Sequence, residues 1–169
     1  SGIKKLILQD KIDEIPEGTF MNCEQISEIV YKNILKFGDY SFYNCQSLVS
    51  DRGNELNLTN TTNLGSYAFY NCSGLIHITL PSTLEEVGTH TFAECTSLKD
   101  VTFNNTILGL YMFYKCTTLG IDSPLKYAEG TLVIPGWSFA YCVNISGLNF
   151  PSTLETIEDY AYYQCSQKL

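Results

Sequence analysis

The seven cysteines of this 169-residue chain follow one another at intervals of 22, 27, 23, 21, 26 and 23 residues. Each stands three positions after an aromatic ring: Phe20/Cys23, Phe42/Cys45, Phe69/Cys72, Phe92/Cys95, Phe113/Cys116, Phe139/Cys142 and Tyr162/Cys165. In the first six copies an aliphatic residue follows the cysteine by three more: Ile26, Leu48, Leu75, Leu98, Leu119 and Ile145. Self-similarity at this interval is the mark of a stacked repeat array, in which one unit cannot bury its apolar face alone and each unit touches only its neighbours. The pattern therefore predicts about seven repeats in a single solenoid domain spanning residues 1–169. Because the pattern opens and closes in mid-repeat, the chain is expected to be a segment of a longer protein.

The clearest unit runs from Leu75 to Cys95. Ile78 and Leu80 alternate with His77 and Thr79, a period of two that predicts a short strand with one buried face. Pro81 ends the strand, having no N–H to continue a ladder. Leu84 and Val87 predict a second short extended segment, and Gly88 a bend. Thr91 to Cys95 is too short for a lone helix and is expected to form one helical or 3₁₀ turn, with Phe92 and Cys95 on one side. The other units fit this frame, with loop excursions expected at Asp51–Asn54 and Gly120–Pro124. Stacked in register, the strands form a parallel sheet, and the aromatic rings and cysteines become ladders of buried core residues.

The consensus Leu-Pro-x-x-Leu-x-x-Ile/Val-Gly-x-x-x-Phe-x-x-Cys-x-x-Leu, closest at Leu80–Leu98 and Phe150–Cys165, resembles the BspA-like class of leucine-rich repeats. That resemblance implies an α/β right-handed solenoid with a parallel sheet on its concave side and single helical turns elsewhere. It also implies a surface-exposed or secreted protein of bacteria or parasitic protozoa, active in adhesion to host or microbial surfaces. The class has no fixed binding residues to carry over. Departures at Pro135-Gly136, Glu158 and Tyr162 concern local bends and the last unit.

Charge narrows the partners. A formal net charge of −8, with bases scattered among acids, argues against nucleic acid, whose phosphates require a Lys/Arg patch. No apolar run approaches the roughly 20 residues of a membrane-spanning helix. Seven cysteines cannot pair completely, and their shared place in the repeat predicts a row of buried free thiols. The two histidines, His77 and His90, have no histidine counterparts in other repeats and read as surface residues. No Cys-x-x-Cys pair, phosphate loop or nucleophile elbow occurs. The chain thus reads as non-enzymatic, with no catalytic residues, cofactor or metal.

Two surfaces remain for a ligand. One is the outward face of the sheet, carrying Lys5, Ile7, Glu28, Val30, Glu55, Asn57, His77, Thr79, Asp100, Thr102, Lys126, Gly147 and Asn149, mixed and small. The other is aromatic. The position two before each core ring holds Gly18, Tyr40, Tyr67, His90, Tyr111, Trp137 and Tyr160, and the position after it holds Met21, Tyr43, Tyr70, Ala93, Tyr114, Ala140 and Tyr163. Tyr and Trp combine broad contact area with a polar handle. Tyr40, Tyr67, His90, Tyr111, Trp137 and Tyr160 are therefore the expected ligand-binding strip, for a protein or glycan on a host or neighbouring cell. The alternative is a spacer array within a larger surface protein, the rings bracing adjacent turns.

Overall fold

The computed structural model describes residues 2–50 and 56–165. The expected excursion at Asp51–Asn54, with Glu55, lies outside the described residues, as do Lys168 and Leu169. Among the described residues twelve short strands occur in order: β1 (Lys5–Ile7), β2 (Glu14–Ile15), β3 (Glu28–Val30), β4 (Lys36–Phe37), β5 (Asn63–Leu64), β6 (His77–Leu80), β7 (Glu86–Val87), β8 (Asp100–Phe103), β9 (Leu125–Lys126), β10 (Val133–Ile134), β11 (Leu148–Asn149) and β12 (Thr156–Ile157). All pairings are parallel and join one coil to its neighbour. The seven aromatic–cysteine cassettes mark six steps from coil to coil, so about six turns of solenoid are present where about seven repeats were expected.

Two strand positions recur in each coil. The first supplies the pairs β1–β3, β6–β8 and β9–β11; the second supplies a four-stranded sheet β2–β4–β5–β7 and the pair β10–β12. Among the described residues the first position therefore shows three separate pairs where a single continuous sheet was expected. Among the described residues the third coil contributes a bridge from Ser50 to Leu75, and β8 and β9, which lie side by side across the Gly120–Pro124 insertion, form no ladder. The period-two reading of β6 and β8 holds: Ile78 pairs in register with Val101 and Leu80 with Phe103, all four buried. The core is a file of stacked rings, Phe20, Phe42, Phe69, Phe92, Phe113, Phe139 and Tyr162, with successive centroids 5.0–5.9 Å apart. Leu, Ile and Cys pack around it.

The expected helical turns are absent among the described residues. Each cassette is a run of β-turns instead. Residues alternate in their bonding: Tyr43 and Cys45 donate back three residues, to the Tyr40 and Phe42 carbonyls, whereas Tyr40, Phe42 and Asn44 donate across to Ser66, Ala68 and Tyr70 of the next coil. A helix would spend every N–H within its own segment. Here every second N–H goes to the neighbouring coil, which satisfies the backbone and fastens the array together.

Candidate binding surface

That alternation requires left-handed backbone at two positions in each cassette. One column has positive φ at Gly18, Tyr40, Tyr67, His90, Tyr111, Trp137 and Tyr160, between 55° and 62°. The second has it at Asn22, Asn44, Asn71, Glu94, Lys115, Tyr141 and Gln164. Bulky side chains avoid this region, which favours Gly and Asn. Every residue of the expected aromatic strip therefore sits in a conformation it would not choose alone, and its ring makes contacts that offset the cost.

Those contacts form a continuous stack. Tyr40 lies 5.1 Å from Tyr67 with rings 4° from parallel, and Tyr67 lies 4.6 Å from His90. His90 lies 4.4 Å from Tyr111, Tyr111 5.6 Å from Trp137 and Trp137 4.7 Å from Tyr160. All six predicted ligand-binding residues are brought together in one file. Tyr40, Tyr67, His90, Tyr111 and Trp137 are half-buried, and Tyr160 at the end is 56% exposed. A second row flanks it: Tyr43 stacks on Tyr70 at 5.0 Å, and Tyr114, Tyr141 and Tyr163 continue edge-to-face. Because ring faces meet ring faces, the strip offers its edges and hydroxyls to solvent rather than its faces. Burial between neighbouring rings pushes the Tyr67 hydroxyl pKa up and the His90 pKa down, the latter partly countered by Glu94.

Two features beneath the strip escape a reading by residue spacing. Each thiol from Cys45 onward donates to the carbonyl of the core ring one coil earlier: Cys45 to Phe20, Cys72 to Phe42, Cys95 to Phe69, Cys116 to Phe92, Cys142 to Phe113 and Cys165 to Phe139, at 3.0–3.3 Å. The cysteines are free thiols. Burial pushes the Cys95 pKa up to about 12 and that of Cys165 to about 11, so the row is inert rather than nucleophilic. The second feature is an asparagine ladder, in which Asn44 donates to Asn22 at 3.1 Å and Asn71 to Asn44 at 2.7 Å. Its signal was present as Asn-Cys in the first three cassettes.

The outward sheet face is more ordered than its composition suggests. Lys5 meets Glu28 at 2.8 Å and His77 Nδ1 meets Asp100 at 3.1 Å, each across one coil step. His77 Nε2 lies 3.4 Å from the Thr79 hydroxyl, so the imidazole is oriented from both sides and is half-buried, not the free surface histidine expected. Ile7 and Val30, in register, are exposed. Among the described residues no group of three or more His, Cys, Asp or Glu side chains is gathered to hold a metal ion, and no helix is long and apolar enough to cross a membrane.

The family model for the BspA type leucine rich repeat region matches six copies over residues 1–54 and 50–168. The chain belongs to this family. Among solved structures, a leucine-rich repeat protein from Bacteroides ovatus ATCC 8483 is similar, with a TM-score of 0.78 at 24% identity over 91% of this chain and 41% of its own. The T. pallidum leucine rich repeat protein superposes with a TM-score of 0.76 at 23% identity over 92% of this chain and 73% of its own. A leucine rich cell surface protein from Faecalibacterium prausnitzii A2-165 follows at 0.62 and 16%, over 96% of this chain and 57% of its own. At these identities the likeness is one of fold, and the chain spans less than half of the Bacteroides protein. No curated protein sequence matches the chain.

Proposed function

We propose that this BspA-type array is a recognition module of a cell-surface or secreted protein, and that it grips a protein or glycan on a host or neighbouring cell through the Tyr40–Tyr160 strip. One observation carries the reading. Six bulky aromatic residues occupy a left-handed position that the fold fills with glycine in the first coil, so something beyond backbone preference keeps rings there. Aromatic residues that present a polar edge suit the centre of a binding surface. The array has no catalytic part in this reading. A relative described as a cell surface protein agrees with the location.

The stacking itself favours a second reading, in which the rings only brace adjacent coils and the array is a spacer. A screen against extracellular-matrix proteins, cell surfaces and glycans separates the two, run beside a folded variant with Tyr40, Tyr67, Tyr111 and Trp137 changed to Ser. The strip reading expects binding that this variant loses. Binding that the variant keeps moves the site to the outward sheet face. Absence of any binding leaves the spacer reading standing.

A further inference from the structure

The aromatic column lacks a ring in the first coil. In the first coil its position is held by Gly18, with φ 62°, and a Cβ built there meets nothing within 4 Å. From Tyr40 to Tyr160 the rings cover one another face to face, with planes within 24°. Tyr40 has Tyr67 on one face and the vacancy over Gly18 on the other. The flanking row changes with it: where Tyr43 leans on Tyr40 at 5.8 Å, the first coil has Met21, 44% exposed. The result is a slot one coil step high beside the Tyr40 ring, with Met21 at the adjoining position of the flanking row; at the far end of the file Tyr160 likewise has a stacked ring on one face only. The slot belongs to the level of the first coil itself, so a coil stacked before it would bound it rather than fill it.

We infer that this slot takes the guanidinium of an arginine side chain from a protein partner; the inference rests on the strip being a recognition surface. Shape and charge agree on this occupant. The site continues a stack of planar groups, one of which, His90, is already a nitrogen heterocycle held between two tyrosines at 4.6 and 4.4 Å. A guanidinium is the planar cation that stacks on an aromatic face, whereas an ammonium is a compact, strongly hydrated point charge. Glu17 and Asp39, the residues preceding Gly18 and Tyr40 in adjacent coils, are exposed. The Asp39 carbonyl accepts from the Gly18 N–H at 2.9 Å and its carboxylate accepts from the Ser66 N–H at 2.7 Å, which leaves Glu17 to pair with an incoming cation. Lys36, in register with Glu14, is the nearby base, and the chain as a whole carries −8.

The test is a titration of the labelled 169-residue chain, followed by amide NMR at Gly18, Thr19 and Met21. The probes are N-acetyl-arginine amide, N-acetyl-lysine amide, N-acetyl-tyrosine amide and methyl glucoside. Saturable shifts with the arginine probe are expected, with affinity about twofold to fivefold above the lysine probe. Gly18→Tyr, which places a ring at a φ already adopted by six aromatic residues, should abolish the shifts while the chain stays folded. Tyr40→Leu should abolish them by removing the face, and Glu17→Gln should weaken them. Equal response to the lysine probe, saturation by tyrosine or glucoside in place of arginine, or no saturable shift at Gly18 each overturns the inference. A partner lost by the fourfold strip variant but kept by Gly18→Tyr would retain the recognition reading and discard the arginine slot.

Discussion

At the scale of single residues, the core and the strip use aromatic rings for different ends. Phe92 is fully buried, 5.2 Å from Phe69 and 5.9 Å from Phe113. Phe92→Ala removes a ring from the middle of the file and should lower stability by about 3–5 kcal/mol, read as a fall in the urea midpoint. His90 makes the strip sensitive to acid. Burial holds its folded pKa below the ordinary value, with Glu94 opposing. In the unfolded chain it titrates near 6.5. Below that pH the unfolded chain takes a proton that the stacked ring resists, so this contribution to stability is whole above about pH 6.5 and is lost as pH falls toward the folded pKa. His90→Phe keeps a planar ring in the stack and removes the proton. The difference in urea midpoint between variant and parent should therefore shift in the variant's favour between about pH 7 and about pH 5; a difference flat with pH would refute the account.

At the scale of the repeated element, the close approach of coils depends on glycine where no left-handed angle is involved. A Cβ at Gly88 would sit 2.3 Å from the Ser66 amide nitrogen and 2.6 Å from the Gly65 carbonyl carbon, both backbone. Gly88→Ala must spread β7 from β5 and should cost about 1–3 kcal/mol, visible as a lower thermal midpoint. The glycine was legible in the sequence as a bend, but its reason, contact with the coil before it, was not. The same division runs through the cassettes. That Phe92, Cys95 and Leu98 share one buried side follows from their spacing, and all three are buried. Spacing of three is common to a helical turn and to successive β-turns, so it could not tell Thr91–Cys95 from a helix; the sign of φ at His90 and Glu94 decides it, and Gly18, Asn22, Asn44 and Asn71 hint at that sign. The strip was legible as a composition of Tyr and Trp at one repeat position, but not that its faces would be consumed in stacking. The missing ladder between β8 and β9 coincides with the Gly120–Pro124 insertion, whose effect on pairing no periodicity records.

At the scale of the whole molecule, a stack held by bonds between adjacent coils should lose order from its ends, because an end coil has one neighbour and an inner coil two. The structure carries the pattern: Cys23 and Cys165 are half-buried, whereas Cys45, Cys72, Cys95, Cys116 and Cys142 are buried. One thiol per coil makes this a built-in reporter. Burial pushes Cys95 to about 12, so at a pH of about 8 almost no thiolate exists there in the folded state, and labelling requires the coil to open. Under pulsed alkylation across a urea gradient, read by mass spectrometry, Cys23 and Cys165 should label at the lowest urea, then Cys45 and Cys142, and Cys95 last. Phe92→Ala should bring Cys72, Cys95 and Cys116 forward while leaving Cys23 in place, since Phe92 stacks on Phe69 and Phe113 of the two adjoining coils. Simultaneous labelling of all seven at one urea concentration would mean that the array unfolds as a single cooperative unit, with coupling between coils strong enough to erase the difference between its ends and its middle.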